Sequence, residues 1–174
     1  MRVLAIDPSA VSASCALLED GKLIGEQYIN VGLTHSQTLM PLVENLLLQA
    51  GYRPREVDGF AVSNGPGSFT GIRIGVAAVK GMAAALEKPC VGVSTLEAMA
   101  YLFEGMDGMV CAAMDARCQQ VYNAMFEMKD GQVVRLSEDR ALSLEELVGE
   151  LKGMGKPVFL TGDGSFVCEK TFLE

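Results

Sequence analysis

Apolar runs separated by short polar turns predict a βββαβαβα order for residues 1–104. Strands are expected at residues 2–6, 11–18, 22–29, 59–63 and 90–93. The helix predicted at 34–50 carries its apolar side chains at 3.6-residue spacing: Leu39, Leu42, Val43, Leu46 and Leu47. Two further helices are expected at 70–86 and from 94 to about 103. A meander of strands followed by crossover helices favours a mixed sheet in an α/β fold.

A glycine-flanked turn at residues 105–108 is the expected boundary between two lobes, 1–104 and 105–174. The second lobe is predicted to contain strands at 109–114, 119–128, 133–136 and 157–160. Ser143 and Glu146 form a capping-box pattern, which predicts a short helix ending near residue 151. Residues 166–174 begin an element without a visible end, so a C-terminal part of the fold is expected to be missing.

The stretch from residue 62 to residue 86 combines a strand, an Asn-Gly-Pro-Gly loop and a helix rich in small residues. Ser68 and Thr70 are the N-cap candidates. Small residues recur four apart, as in the pairs Gly71/Gly75 and Ala77/Gly81, and residues at that spacing share a helix face. Such a face suits either a contact with another subunit or tight packing inside one domain. Arg73 and Lys80 interrupt the apolar run, which we take to be too short to span a membrane.

The composition bounds the chemistry. Hydrophobic residues make up 49% of the 174, enough for a core, and the formal net charge is −8, which disfavours direct nucleic-acid binding. Five cysteines without a C-x-x-C pair indicate reduced, mostly buried thiols and a cytoplasmic protein. The N-terminus has the pattern of a strand and not of a signal peptide, and no transmembrane span is expected.

Two sets of residues resemble known families. Asp7-Pro8-Ser9 after the first strand resembles the start of actin-like ATPases and sugar kinases, although Asp7 could equally cap the turn. The segment from Asn64 to Gly75, NGPGSFTGIRIG, resembles the signature of the TsaB (YeaZ) family. Supporting matches are His35-Ser36, Lys88-Pro89, Asp115-Ala116-Arg117 with Val121-Tyr122, and Thr161-Gly162-Asp163-Gly164.

The resemblance implies a two-lobed actin-like ATPase (ASKHA, ribonuclease H-like) fold. It also implies a role in forming N6-threonylcarbamoyladenosine at position 37 of tRNAs that read codons beginning with A. In that role the chain would be a non-catalytic partner of TsaD and TsaE, able also to form a homodimer, with tRNA contacted only indirectly.

The residues themselves offer little for catalysis. Thr95 and Met99 stand where TsaD has an H-x-x-x-H metal motif, and His35 is the only histidine, so we expect no metal site. Ser68 does not lie in the G-x-S-x-G elbow of hydrolases, which argues against a peptidase. The alternative function is that of an ATPase or small-molecule kinase.

That alternative would use glycine turns that approach phosphate, and the sequence lacks a P-loop lysine. We therefore expect a degenerate nucleotide cleft, with no cofactor held by this chain alone and with any ATP or ADP and Mg²⁺ at the joint with a partner. Its expected residues are Asp7, Ser9, Gly65, Gly67, Ser68, Gly162, Asp163 and Gly164.

The first two helices are expected to form the partner surface, shared by homodimer and heterodimer. Its predicted residues are His35, Leu39, Leu42, Val43, Leu46, Gly71, Ile74, Gly75, Ala78, Val79 and Met82. His35 is expected to be exposed at the helix start. Gly75→Glu or Ala78→Glu is expected to abolish pairing and to leave the fold intact.

Overall fold

The chain forms two compact units, Met1–Thr95 and Leu96–Glu174, in a computed structural model that describes residues 1–32 and 34–173, the side chains of residues 172 and 173 excepted. The end of the segment expected at 166–174 lies outside the described residues. The division falls earlier than the boundary predicted between residues 104 and 105. The reason is packing, because Leu96 and Ala100 are buried in a cluster with Val110 and Phe126 of the second unit.

The first unit is built on a five-stranded mixed sheet in the order β3-β2-β1-β4-β5. Its strands are β1 Arg2–Asp7, β2 Ala13–Glu19, β3 Lys22–Ile29, β4 Gly59–Gly65 and β5 Cys90–Ser94. The first three pair antiparallel, whereas β4 pairs parallel to β1 and β5 parallel to β4. The predicted strands are thus confirmed in number and order, with ends that differ by one or two residues.

Two helices connect these strands, α1 (His35–Ala50) and α2 (Phe69–Leu86), with a 3₁₀ turn at Pro54–Glu56. α1 ends at Gly51, whose φ of 77° is a left-handed cap. α2 begins after Ser68, and not after Thr70, because the Ser68 hydroxyl accepts the Gly71 N–H. Both helices pack on one core, in which Leu4, Leu17, Leu39 and Val79 are almost completely buried.

The second unit contains a second sheet in the order β10-β6-β7-β8, with β9 also paired to β7. Its strands are β6 Gly108–Arg117, β7 Gln120–Lys129, β8 Gln132–Arg135, β9 Arg140–Ser143 and β10 Val158–Thr161. Its helices are α3 (Thr95–Ala100, continued by a 3₁₀ turn at Tyr101–Phe103), α4 (Leu144–Gly153) and α5 (Gly164–Leu173). One face of the sheet packs on α3, and the other packs on α4 and α5.

The sequence did not predict β9, a four-residue strand that begins with an arginine. Its position is fixed by a buried amide, because the Asn123 side-chain nitrogen donates to the Ala112 carbonyl at 3.0 Å and its oxygen accepts from Arg140. Arg140 also pairs with Glu150 of α4. A buried polar side chain needs such partners, and they connect β6, β7, β9 and α4.

The cysteines match the prediction of free, mostly buried thiols. Cys15, Cys111 and Cys168 are buried, whereas Cys90 and Cys118 are exposed, and all five are free. Burial raises the pKa of the Cys15 thiol to about 11 and that of Cys111 to about 12. The two thiols are therefore protonated at neutral pH, which makes them poor nucleophiles.

The capping box predicted at the start of α4 is present. Glu146 accepts the Ser143 N–H at 2.9 Å and the Ser143 hydroxyl at 2.8 Å, while Ser143 Oγ accepts the Glu146 N–H. These bonds hold the pKa of Glu146 below its ordinary value. A carboxyl group with a lowered folded-state pKa stabilises the fold above its unfolded-state pKa, and this stabilisation is lost as the pH falls through the folded-state pKa.

We therefore expect Glu146→Gln to have a lower free energy of unfolding than the wild type near neutral pH. In acid the two free energies of unfolding should become equal. The measurement is urea unfolding of both proteins at about pH 7 and about pH 3, which bracket the ordinary glutamate pKa. Glu145→Gln is the control, since Glu145 is an exposed acid in the same turn. An equal pH-dependent deficit in both variants would contradict the assignment.

Candidate partner surface and glycine turns

The small residues of α2 lie in two different environments. A Cβ at Gly71 would fall closer than 3.0 Å to the Pro8 carbonyl oxygen, and one at Gly75 would fall closer than 3.0 Å to the Pro8 ring. A Cβ at Gly81 would meet no atom within 4 Å. Packing inside the first unit therefore accounts for Gly71 and Gly75, while Gly81 lies on the exposed side of the helix.

His35 is buried, with 7% of its surface exposed, so the prediction of an exposed histidine is wrong. Its Nε2 lies 3.0 Å from the Pro8 carbonyl oxygen and 2.9 Å from the Ala10 carbonyl oxygen. Both partners are acceptors, so Nε2 carries the proton and donates. The ring also lies against Gly71. His35 thus holds the β1–β2 turn against the starts of α1 and α2.

Most of the predicted interface side chains belong to the core of the first unit, where a partner could not cover them. Half-buried positions are Ile74, Ala78 and Met82. The buried positions are His35, Leu39, Leu42, Val43, Leu46, Gly71, Gly75 and Val79. Because Gly75 is packed against Pro8, the expectation that Gly75→Glu leaves the fold intact is wrong.

By length and composition alone, α2 meets the criterion for a membrane-crossing helix, so its apolar run is not too short as predicted; 22% of the helix is buried, and one such helix is weak evidence for a membrane span. At 100° per residue, Ile74, Ala78, Gly81 and Ala85 form one strip along it. Gly81 and Ala85 are exposed, and Ile74 and Ala78 are half-buried. Three of the four residues in this strip, Ala78, Gly81 and Ala85, are small, and small side chains let another helix approach closely.

A groove of about 410 Å³ lies along α1, and its lining is completed by Tyr52, Arg53 and Pro54 after α1, by Leu4 and Phe60 of the sheet and by one residue of α2. Met82 lines it from α2, and Met40, Leu47 and Leu48 line it from α1. The exposed fraction is 44% for Met40 and 74% for Leu48. We call the strip, the groove, Met40, Glu44 and Leu48 the α1–α2 surface. It is an exposed apolar surface of the kind that a protein partner covers.

In the first unit, the turn after β1 (Asp7-Pro8-Ser9) is hydrogen-bonded to the glycine turn before α2. Asp7 Oδ1 accepts the Ser9 N–H at 2.9 Å, and the Ser68 N–H donates to the Ser9 carbonyl at 2.7 Å. A Cβ at Gly67 would fall closer than 3.0 Å to that same carbonyl oxygen, whereas Gly65 meets only Ile72. The arrangement does not fit a phosphate on the Ser68 amide, because the amide already has a partner.

The glycine turn of the second unit packs on β6. A Cβ at Gly162 or at Gly164 would fall closer than 3.0 Å to the Ala113 backbone. Asp163 Oδ1 accepts the Asp115 N–H at 3.0 Å. The structure therefore brings together two sequence motifs, Asp115-Ala116-Arg117 and Thr161-Gly162-Asp163-Gly164, through a backbone contact that only glycine permits. Close packing explains these glycines without a nucleotide.

Within residues 1–32 and 34–173, the structure contains no group of three or more His, Cys, Asp or Glu side chains that could hold a metal ion. Thr95 lies at the first of the two positions that match the TsaD metal motif, and it is a buried side chain whose hydroxyl has no hydrogen-bond partner among the described residues. A lone hydroxyl is a poor ligand for a catalytic divalent metal.

Two mixed sheets, each with an antiparallel meander and a parallel strand reached through a helix, define the class as the actin-like ATPase, or ribonuclease H-like, fold. EutJ from Carboxydothermus hydrogenoformans shares this fold, with a TM-score of 0.52 at 10% identity over 95% of this chain and 78% of EutJ. The family model described as TsaD, tRNA N6-adenosine threonylcarbamoyltransferase, matches residues 30–172.

Closer relatives narrow the class. The tRNA threonylcarbamoyladenosine biosynthesis protein TsaB of Bacillus subtilis is 35% identical over 162 residues, which cover 93% of this chain and 71% of the relative. The structure of YeaZ from Pseudomonas aeruginosa superposes with a TM-score of 0.79 at 30% identity, covering 93% of this chain and 84% of that one. The chain belongs to the TsaB (YeaZ) family. It spans 65% of the length of the TsaB of Escherichia coli, to which it is 36% identical over 152 residues that cover 86% of this chain.

The sequence analysis assigned the partner surface to α1 and α2, and most of the residues that it selected there are buried. Met40, Leu48, Gly81 and Ala85 were not among the predicted interface residues, and they are the exposed ones. The sequence did indicate Gly81, because it lies four residues after Ala77 in the pattern of small residues. Nothing in the linear sequence tells which of two small-residue rows packs on Pro8.

Proposed function

We propose that this chain is a non-catalytic subunit that pairs with a TsaD-type threonylcarbamoyltransferase, together with TsaE. In this role it supports formation of N6-threonylcarbamoyladenosine at position 37 of tRNAs that read codons beginning with A. The observation that carries the proposal is the exposed apolar α1–α2 surface. Membership of the TsaB (YeaZ) family, whose relatives are named for this modification, supports the choice of pathway.

The α1–α2 surface suits a four-helix interface in which two helices from each partner pack together. Ala78, Gly81 and Ala85 let a facing helix approach closely, and the groove beside Met82 can receive a larger apolar side chain. α1 carries one acidic residue, Glu44, and α2 carries two basic residues, Arg73 and Lys80, and no acidic one. A homodimer and a TsaD heterodimer would use this same surface and would therefore compete.

The chain is proposed to contact tRNA only through its partner. A formal net charge of −8 repels a phosphate backbone, whose binding depends largely on lysine and arginine. We also place the protein in the cytoplasm, in keeping with five unpaired cysteines.

No cofactor is proposed for the chain alone. The Ser68 amide is bonded to Ser9, and the glycines at 162 and 164 are needed for packing on Ala113. Any ATP or ADP with Mg²⁺ would then lie at the joint with the partner. His35 is the single histidine of the sequence, and its Nε2 is hydrogen-bonded to two carbonyl oxygens, so no histidine is free for acid–base catalysis.

Reconstituted tRNA modification tests the function. TsaC, TsaD, TsaE, ATP, threonine, bicarbonate and unmodified tRNA are incubated with and without this chain, and modified adenosine is quantified. We expect modification to depend on the chain. Modification that is equally fast without the chain, while the chain alone hydrolyses ATP, would reject the proposal in favour of an actin-like ATPase or kinase.

A further inference from the structure

Two charged residues belong to the α1–α2 surface, Glu44 in the middle of α1 and Arg53 beyond the end of that helix. Glu44 lies four residues after Met40 and four residues before Leu48, and residues at that spacing share a helix face. All three side chains line the groove. A partner that covers the exposed apolar side chains of Met40 and Leu48 therefore covers the Glu44 carboxylate as well.

The Glu44 carboxylate is exposed, and within residues 1–32 and 34–173 it makes no hydrogen bond or ion pair. Glu19 of the same unit, by contrast, is paired with Arg2 at 2.8 Å. Water solvates Glu44 while the surface is open, and a partner that covers the surface removes that water. A buried charge without an opposite charge strongly weakens a complex, so a tightly bound partner must supply a cation at this position.

The groove is formed before any partner binds. Leu4 and Phe60, which lie at its base in the sheet, are almost completely buried in the core. Tyr52, at the end of the groove, is held by the Arg2 guanidinium, which stacks 4.5 Å from the ring centroid, and by a hydrogen bond from its hydroxyl to Glu19 at 3.3 Å. A preformed groove fixes where an apolar side chain of the partner enters, and it thereby fixes which partner residue lies against Glu44.

The charge of this chain disfavours a second copy as that partner. α2 carries Arg73 and Lys80, but at 3.6 residues per turn both lie about 80° or more around the helix from the strip that contains Gly81. Two copies would also bury two Glu44 side chains and bring together two formal net charges of −8. Like charges oppose association, whereas a protein with a basic face is attracted.

We propose that Glu44 selects the partner of this chain: the α1–α2 surface binds a TsaD-type protein that places a lysine or arginine against Glu44, in preference to a second copy. The inference rests on the proposed function. It adds the residue that decides between heterodimer and homodimer and the chemistry that the partner must present, which is an apolar side chain in the groove and a cation beside it.

Glu44→Met tests the proposal by the sign of its effect on the heterodimer Kd, measured by calorimetry. If a partner cation meets Glu44, the substitution leaves that cation buried and unpaired, and the Kd should rise by about tenfold or more. Without such a cation, removing the carboxylate makes the surface more apolar and the Kd should fall. Asn45→Met is the matched control, because Asn45 is an exposed residue of α1 that does not line the groove. Circular dichroism checks that both variants are folded.

Sedimentation equilibrium of the chain alone tests the preference against a second copy. Glu44→Met should leave self-association unchanged or strengthen it, because two carboxylates are removed from the homodimer interface. Arg53 is the basic residue that lines the groove, so a homodimer held by Glu44–Arg53 pairs would be weakened by Glu44→Met and by Arg53→Met alike. That result would overturn the proposal, since a second copy would then satisfy Glu44.

A charge exchange with the partner tests direct pairing. Glu44→Lys should raise the heterodimer Kd further than Glu44→Met, because two cations then face each other. The surface lysines and arginines of the partner are changed to glutamate one at a time, and one of these variants should bind the Glu44→Lys chain more tightly than it binds the wild type. If none of them does, the proposed ion pair is rejected.

A heterodimer Kd that falls or is unchanged in Glu44→Met would also overturn the proposal. If Gly81→Glu still weakens the heterodimer in that case, the proposed function stands and only the role of Glu44 is lost. If no heterodimer forms and tRNA modification does not depend on the chain, the proposed function and the role of Glu44 fail together.

Discussion

Gly81→Glu is expected to weaken pairing with the TsaD-type partner by about a hundredfold or more. Gly81 lies in the small-residue strip of the α1–α2 surface, and a partner helix close to it would bury the new carboxylate without a matching cation. An uncompensated buried charge costs several kcal/mol, and about 2.7 kcal/mol corresponds to a hundredfold change in Kd. The measurement is the Kd of the heterodimer by calorimetry, together with the rate of tRNA modification.

The variant separates pairing from folding. The space around a Gly81 Cβ is open, and glutamate has a higher helix propensity than glycine, so the isolated chain should be at least as stable as the wild type. Gly81→Ala is the control at the same position and should keep pairing. Gly149→Glu adds the same charge to an exposed glycine of α4 with equally open space. Wild-type affinity in Gly81→Glu would mean that the partner binds another face.

Gly75→Ala is expected to destabilise the first unit by about 1–3 kcal/mol, the usual cost of overpacking a core. The added Cβ would fall closer than 3.0 Å to two atoms of the Pro8 ring, and that ring is held in place because His35 bonds the Pro8 carbonyl. Either α2 or the β1–β2 turn must move. A larger residue at this position, such as glutamate, should prevent the unit from folding.

The opposite result is expected six residues further along the same helix, at Gly81. Gly81→Ala should stabilise the chain by about 1 kcal/mol, because alanine has the higher helix propensity and nothing lies nearby. Urea unfolding followed by far-ultraviolet circular dichroism measures both variants. Equal shifts for the two substitutions would show that Gly75 is not packed against Pro8 as described.

The local pattern was sufficient for most of the elements. The spacing of Leu39, Leu42 and Leu46 predicted α1, and the Ser143 and Glu146 pair predicted the start of α4. The strand β9 was missed because its short sequence carries little pattern of its own, and its place depends on the buried Asn123 and its bond to Arg140. A bond between residues far apart in sequence leaves no local signal.

The candidate sites show the same difference between local motifs and contacts that join distant parts of the sequence. The TsaB (YeaZ) resemblance followed from a continuous motif, NGPGSFTGIRIG, and the comparisons confirmed it. The same motif could not tell a phosphate-binding turn from a packed one, because glycine serves both. In the structure, Gly67 packs against Ser9 so closely that no Cβ would fit there. His35 was misplaced for a similar reason, since its two acceptors come from a turn 25 or more residues earlier.

By itself, the sequence determined the family, the α/β class and the order of most elements, because these depend on periodicity and on motifs that lie within a few residues. Only the tertiary structure decided which side of α2 is core and which is surface. Gly71 and Gly81 are both glycines and cannot be told apart in the sequence, whereas in the structure Pro8 and His35 pack on Gly71 alone.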